Sequence, residues 1–485
     1  MNGAVRAPVR RLLSGGAFVL GADALQLPSA LLLAAYFSRR LGVEGLALYL
    51  LAGAVVSWIE LAVSALFSRS AVQLIAESRE WQTVASLVLR AHLKISLAVT
   101  AALWLLVWPF ERVLGVDDLK PILLLFSLEI PLFSLARCHT HVLVGLERFR
   151  ERAWASAARW ASRVVLAIVF VELGLGVKGA VLGALGSTAL ELLVARRFVQ
   201  PRWGLPSPPE LRRRLIRYSL PLFLQGVSLQ LFNRLGLLLL VPLGASVAAA
   251  GVYGAADALL RLRRVLGQSL TPLVLSTLSG MLRDGQQVPA RELARGALRG
   301  AILTAAPVAV VAGAAPRIMA WLYGEEFRQG GPWLAILIGG APAFLLISIA
   351  AAILIAAGRP EIPVRVTAPM VPLALVGCLW AVPRYGGVGA AAVTTLTVLA
   401  AAVASLERVH RVWRIAPPAS TMVRSALVAA GLYLAAASLP RGGAWLLLEL
   451  PALAILGVAV YLVLGEATAE ELGRLRRALS LKQLI

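Results

Sequence analysis

Fourteen apolar stretches run through this 485-residue chain, and they leave it few ways to fold. They lie at roughly 14–38, 45–68, 93–114, 119–143, 155–173, 177–199, 216–243, 246–272, 298–322, 331–356, 362–383, 387–406, 421–440 and 443–465. A helix rising 1.5 Å per residue needs about 20 residues to cross about 30 Å of hydrocarbon, and most of these stretches reach that length. Lipid offers no water to backbone N–H and C=O groups, so each stretch must close its own hydrogen bonds as a helix. The expected fold class is an all-α polytopic membrane protein with about 14 transmembrane helices. Composition agrees, with 59% hydrophobic residues, only 15% charged ones and a mean hydropathy of +0.81. The basic start MNGAVRAPVRR leads into an apolar run too long for a cleaved signal peptide, and is read as an uncleaved first span.

The chain also repeats itself about 204 residues on. LQLPSALLLAAYFSRRLGVEGLALYLLAGA (25–54) returns as LQLFNRLGLLLLVPLGASVAAAGVYGAADA (229–258), setting Gln26 against Gln230, Gly42 against Gly244 and Tyr49 against Tyr253. A second echo pairs VGLERFR (144–150) with AAGRPEI (356–362), and GVKGAV (176–181) with GVGAAAV (387–393). Six spans per half bring each half back to its starting side, so the repeats are expected to be parallel. Residues 1–200 form one lobe, 201–214 a cytoplasmic linker, 215–415 the second lobe, 416–465 two added spans and 466–485 a cytoplasmic amphipathic tail. QPRWGLPSPPELRRR (200–214) has the prolines and basic residues of a linker. Leu472, Leu475 and Leu479 share one face of the tail. Transporters built of paired halves handle their substrate between them.

Net charge of +22 suggests nucleic acid, but no soluble basic domain exists to carry that function. The charge is read by position instead. With the N-terminus inside, 32 of the 47 Lys/Arg go to the even-numbered connections and the two tails. Nine go to the other side: Arg39, Arg40, Arg112, Lys120, Lys178, Arg317, Arg328, Arg384 and Arg441. That excess places both termini in the cytoplasm.

Charges within spans are expensive, so they point to a cavity or a partner. The span arginines are Arg137, Arg163, Arg234, Arg261, Arg263 and Arg264; the acids are Asp23, Glu60, Glu129, Glu172, Glu191 and Asp257. Arg234 lies about 18 residues, or roughly 27 Å, into its span. It is a candidate to meet an anion, against a structural bond to a neighbouring helix. Asp257 and Arg261 stand four apart and can neutralise each other, leaving Arg264 on the same face. Asp23, one turn before Gln26 and ahead of Pro28, is either an ion or proton site or an interhelical hydrogen bond. Glu60 and Glu129 are weaker candidates of that kind, while Glu172 and Glu191 lie near span ends and are expected to reach water. The pair Arg39–Arg40 can meet phosphates at a cavity mouth or anchor to lipid headgroups.

Other chemistries lack their residues. Cys138 and Cys378 both fall in apolar stretches, and Cys138-His139-x-His141 has no carboxylate to complete a metal set. No GxxxxGK[ST] loop occurs, so the chain is not expected to hydrolyse ATP. Arg outnumbers Lys 43 to 4, a bias read as genome composition.

Taken in order, YSLPLFL (218–224), the LG…GVY turn (244–253), Pro272 and WLYGEEF…AAGRPEI…PRYGGVGAAAV (321–393) resemble the bacterial polysaccharide-export flippases of the multidrug/oligosaccharidyl-lipid/polysaccharide exporter superfamily. The resemblance implies two six-helix bundles around a V-shaped cavity that rock between inward- and outward-facing states. It implies an undecaprenyl-pyrophosphate-linked oligosaccharide as substrate, moved across the bacterial inner membrane, with cationic cavity residues meeting the pyrophosphate. Partners then include the bilayer, a polysaccharide polymerase and glycosyltransferases, with no nucleic acid. No cofactor is implied, and the coupling ion, H+ or Na+, is open. One departure matters: relatives often read Arg-x-Asp where this chain has Arg234-Leu235-Gly236, so a role of that acid cannot be carried over.

Rival readings remain. A lipid II flippase suits fourteen helices and a basic cavity equally well. A cation-coupled multidrug antiporter wants acidic cavities, whereas here arginines dominate. A glycosyltransferase using polyprenyl-phosphate sugars needs a carboxylate in a substantial outer loop, and the outer pair Asp117-Asp118 stands in a loop of a few residues.

Overall fold

The computed structural model describes residues 21–466 other than 79, 115, 117, 207, 212, 214, 216–230 and 441. Every regular element among them is helical, and nine stretches are long and apolar enough to cross a membrane. Three of the nine exceed a single crossing: Gly21–Leu66, Phe149–Phe198 and Glu361–Trp413. Each contains a glycine at positive φ, the left-handed conformation that a side chain resists. In the helix Gln26–Glu77 (α1) that residue is Gly42, at φ 71°. Phe37 and Tyr49 flank it with ring centroids 4.9 Å apart. On a straight helix, residues twelve apart would be separated by roughly 18 Å. α1 therefore folds back on itself. The apolar run of the sequence is two crossings, as the separate stretches 14–38 and 45–68 anticipated.

The chain divides after Arg234 into two compact units. In the first, α1 is followed by α2 (Trp81–Leu114), α3 (Leu119–Ser127), α4 (Glu129–Gly145), α5 (Phe149–Phe170), a π turn (Val171–Leu175) and α6 (Gly176–Phe198). α5 and α6 form a tight hairpin about Gly174 and Gly176. A Cβ at Gly183 would run into the backbone of Ala167, so the two helices meet through small residues, the usual way to bring backbones close in lipid. An apolar cluster of Ala71, Leu74, Ile75, Val84, Val88, Val142, Leu143 and Ala195 ties α1, α2, α4 and α6 at one end of the bundle. The proline-rich stretch after α6 is strapped down at its start. Arg202 N–H donates to Gln82 (2.9 Å), Leu205 N–H to Ser86 Oγ (3.2 Å), and Arg90 to the Leu205 carbonyl (2.5 Å).

The helix α7 (Leu231–Leu240) carries the boundary between the units. The second unit continues with α8 (Val247–Leu259), capped by Ser246, whose hydroxyl accepts from Ala249 N–H at 3.1 Å. Then come α9 (Arg261–Arg283), α10 (Gln287–Leu303), α11 (Ala305–Gly313), α12 (Ala315–Tyr323), a 3₁₀ turn (Glu325–Gly330), α13 (Gly331–Gly339) and α14 (Ala341–Ala356). After α15 (Glu361–Thr367), α16 (Met370–Trp413) is a second folded-back hairpin, hinged at Gly386. Gly389 lies so close to the Ala381 carbonyl that a Cβ has no place there. The last pair, α17 (Ala419–Ser438) and α18 (Leu446–Val463), packs on α11 through Ala306, Val310, Leu432, Ala436 and Tyr461.

Outward faces are apolar. Leu105 is 80% exposed and Val463 88%, with Leu193, Val403, Leu448 and Ile455 similar. In water such surfaces would aggregate; in lipid they are solvated. The amphipathic tail 466–485, apart from Glu466, and the motif YSLPLFL lie outside the described residues.

Candidate functional site

The densest charge in the described protein is buried inside the first unit. Arg159, on α5, is 5% exposed and bridges two carboxylates: its Nη1 reaches Glu191 on α6 at 3.2 Å, and its Nη2 reaches Glu129 on α4 at 3.4 Å. Arg137, two turns along α4 from Glu129, approaches the other oxygen of Glu191 at 3.5 Å. Arg163, one turn along α5 from Arg159, lies 3.6 Å from Glu129 and donates to the Tyr49 hydroxyl at 3.2 Å. Thr188 donates its hydroxyl to Glu129 at 2.6 Å. The Phe133 ring faces both Arg137 and Arg159, each guanidinium 4.8 Å from the ring centroid, which spreads their charge onto a π face.

Glu60, on the second arm of α1, completes the group. It is 7% exposed and feels the charges of Glu129, Arg159, Arg163 and Arg137. Its Oε1 is buried without a hydrogen-bond partner. Three guanidinium groups and three carboxylates, all ionised, sum to zero; a proton on Glu60 makes the cluster +1. A buried carboxylate oxygen without a hydrogen bond is costly, and it sets Glu60 apart from Glu129, which accepts from Thr188.

One sequence expectation is corrected here. Glu191 does not reach water at a span end but is wholly buried. The number of residues to the helix end misled, because the end of α6 is itself covered by the core around Ala195 and Val199. Arg159 lies in the stretch 155–173 but is not among the span arginines named from the sequence, and it is the centre of the cluster. Its i, i+4 spacing with Arg163 was the available signal, since two arginines on one apolar face require acids from other helices.

The other candidates are dispersed. Asp23 accepts from Arg152 at 2.9 Å, the interhelical bond among its two readings. Arg40 grips Glu172 with two bonds (3.0 and 2.9 Å), and Tyr36 donates to the same carboxylate at 2.7 Å. Arg234, the last residue of the first unit, donates to Ser57 Oγ at 3.2 Å. Arg39 is exposed, while Asp257 and Arg261 are half-buried, with α8 ending between them at Leu260. The side chains of Arg263 and Arg264 lie outside those described. Gly236 explains its own lack of an acid: any side chain there would collide with the Tyr253 hydroxyl. Among the described residues no three His, Cys, Asp or Glu side chains could hold a metal ion.

This helical membrane architecture can be compared with known proteins. A family model described as polysaccharide biosynthesis protein matches residues 12–275. The chain belongs to that family. It is thereby a multi-pass membrane protein of the exporter superfamily that the sequence motifs resembled. No curated protein matches it in sequence. Among solved structures, a lipid II flippase MurJ in an inward closed conformation superposes with a TM-score of 0.75 at 16% identity, covering 92% of this chain and 98% of that one. An outward-facing multidrug resistance MATE family transporter of the MOP superfamily gives 0.59 at 16% identity, covering 87% and 96%. A MOP superfamily transporter from Pyrococcus furiosus gives 0.54 at 16% identity, with the same coverage. These likenesses establish the fold.

Proposed function

We propose that the family member described here is an alternating-access flippase, moving an undecaprenyl-pyrophosphate-linked oligosaccharide from the inner to the outer leaflet of the bacterial cytoplasmic membrane. The observation that carries this reading is the match of residues 12–275 to the polysaccharide biosynthesis family. Two parallel six-helix repeats with two added C-terminal helices, fourteen spans in all, and cytoplasmic termini are the architecture it requires. The anion-meeting set is Arg234, Arg261 and Arg264, joined by Arg39 and by Arg40 once its pair with Glu172 opens. Coupling falls to Glu60: its proton changes the buried cluster by one charge within a core that otherwise keeps its ion pairs. Asp23, Asp257 and Glu129 are secondary in that role, Asp23 and Glu129 being held by Arg152 and by Arg159 with Thr188.

Arg234 supplies the test. A guanidinium can hold a pyrophosphate by two parallel charge-assisted bonds, which an ammonium cannot reproduce. Surface glycan per molecule of folded protein should fall about ten- to a hundred-fold in Arg234→Lys. Unchanged glycan per molecule in Arg234→Ala would remove Arg234 from the substrate site, and unchanged glycan in a strain lacking the protein would remove the reading itself.

A further inference from the structure

In the second unit a cavity of about 200 Å³ opens between α15 and the carboxyl end of α16. Arg359, Arg365 and Arg408 line it, with Glu361 as its one acid and Ile362 and Val366 as its apolar wall. Three guanidinium groups against one carboxylate leave the cavity with a formal charge of +2. All three arginines are exposed. Among the described residues, none of the three enters an ion pair or a side-chain hydrogen bond, although Glu361 stands two residues from Arg359.

Several other arginines of this unit are held by acids instead. Arg411, one turn beyond Arg408, is held by Glu407; Arg328 is held by Glu325, Arg317 by Glu449 and Arg424 by Glu466. The closest counterpart in the first unit is the turn after α4, where Arg148 is tied both to Glu151 (3.0 Å) and to the Phe198 carbonyl at the end of α6 (2.7 Å). In the second unit the same kind of turn leaves its arginine pointing at neither acid nor carbonyl. Like charges gathered around a concavity repel one another, so their convergence favours a bound anion. Guanidinium groups match phosphate oxygens geometrically, and basic pockets between membrane helices are suited to phospholipid headgroups. Ile362 and Val366 on the wall, with exposed Val364 and Val412 nearby, provide apolar surface for the groups that esterify such a phosphate.

We propose that this cavity binds a phosphate-bearing anion, either a phospholipid headgroup or a soluble phosphate. The site is separate from Arg234 and from the buried cluster, and its test reads binding rather than transport. Full-length protein in detergent is titrated with short-chain phosphatidylglycerol, short-chain phosphatidylcholine and inorganic pyrophosphate, and the bound species are counted by native mass spectrometry. Each arginine should contribute about fivefold, so Arg365→Gln weakens anion binding about fivefold and the Arg359→Gln, Arg365→Gln, Arg408→Gln triple variant on the order of a hundredfold. Arg411→Gln removes the same charge outside the cavity and should change binding less than about twofold, its guanidinium being already paired. Preference for phosphatidylglycerol that survives millimolar pyrophosphate identifies the headgroup as ligand; displacement by pyrophosphate identifies the soluble anion. Equal binding by the triple variant and the wild type for both anions overturns the proposal. So does an Arg411→Gln loss as large as that of Arg365→Gln, since it would mean diffuse attraction to a positive surface.

Discussion

The turns after α4 and after α14 are built alike and furnished differently. Both close with the same backbone bonds: Leu146, Glu147 and Arg148 N–H donate to Val142, Val144 and Leu143, as Ala357, Gly358 and Arg359 N–H donate to Ile353, Ile355 and Leu354. Glu147 at φ 57° occupies the left-handed position that Gly358 takes at φ 75°. Arg148 thus corresponds to Arg359, one residue off the register in which VGLERFR and AAGRPEI pair by sequence. In the first unit that arginine closes a helix end and pairs with an acid. In the second it lines an open cavity. One backbone frame has been used once for stability and once, on our proposal, for binding.

The comparison extends to the cluster around Arg159, the structural extreme of the same unit, and the largest effect is expected there. Arg159→Leu strands Glu129 and Glu191 without their shared cation, at a cost of about 3–5 kcal/mol. Folded protein recovered from membranes should nearly vanish; wild-type recovery and melting temperature would show that the cluster does not hold the unit together. Next, Arg148→Gln should destabilise by about 1.5–3 kcal/mol, because it removes charge-assisted bonds at two acceptors. Arg359→Gln should stay within about 0.5 kcal/mol, as expected for an unpaired surface residue. Equal melting shifts for the two variants would erase the contrast between the turns.

Glu60→Gln keeps the shape of the side chain while removing its titration. Protein level should be unchanged, and transport should lose its dependence on an imposed pH gradient. A retained gradient response would move coupling away from Glu60. The smallest effect belongs to Glu466, which lies beyond the last span. Thr421 donates to it at 2.7 Å and Arg424 at 3.0 Å, with Arg299 3.4 Å away, and these contacts hold its carboxyl below the usual carboxylate range. A depressed value in the folded state stabilises above the ordinary pKa of about 4.3 and is lost as pH falls through the folded value. Wild type should therefore lose slightly more stability than Glu466→Gln between neutral pH and pH 4; parallel melting curves would refute it.

Much of this was legible in the chain. Gly42 and Gly244 were matched by sequence, and both stand at positive φ, 71° and 98°. The stretches 155–173 and 177–199 proved to be the two arms of one hairpin, with a glycine turn where GVKGAV begins. Sites were harder to read. Arg159 and Glu129 are 30 residues apart in sequence and Arg159 and Glu191 are 32 apart, so no local pattern links them. Arg40 and Glu172, 132 apart, meet only because both lie at turns of the same bundle. Arg408 is far in sequence from Arg359 and Arg365, and no local pattern says that the three converge.

The sequence by itself determined that this chain is helical and built for lipid, and that it bends at glycines such as Gly42. Lipid forces each apolar stretch to satisfy its own backbone, and only glycine takes the left-handed turns cheaply. Tertiary structure alone decided which ionisable residues neutralise one another and which are left to meet a ligand. That choice depends on which helix faces touch: a rotation of α5 about its axis would separate Arg159 from both carboxylates without altering a single residue.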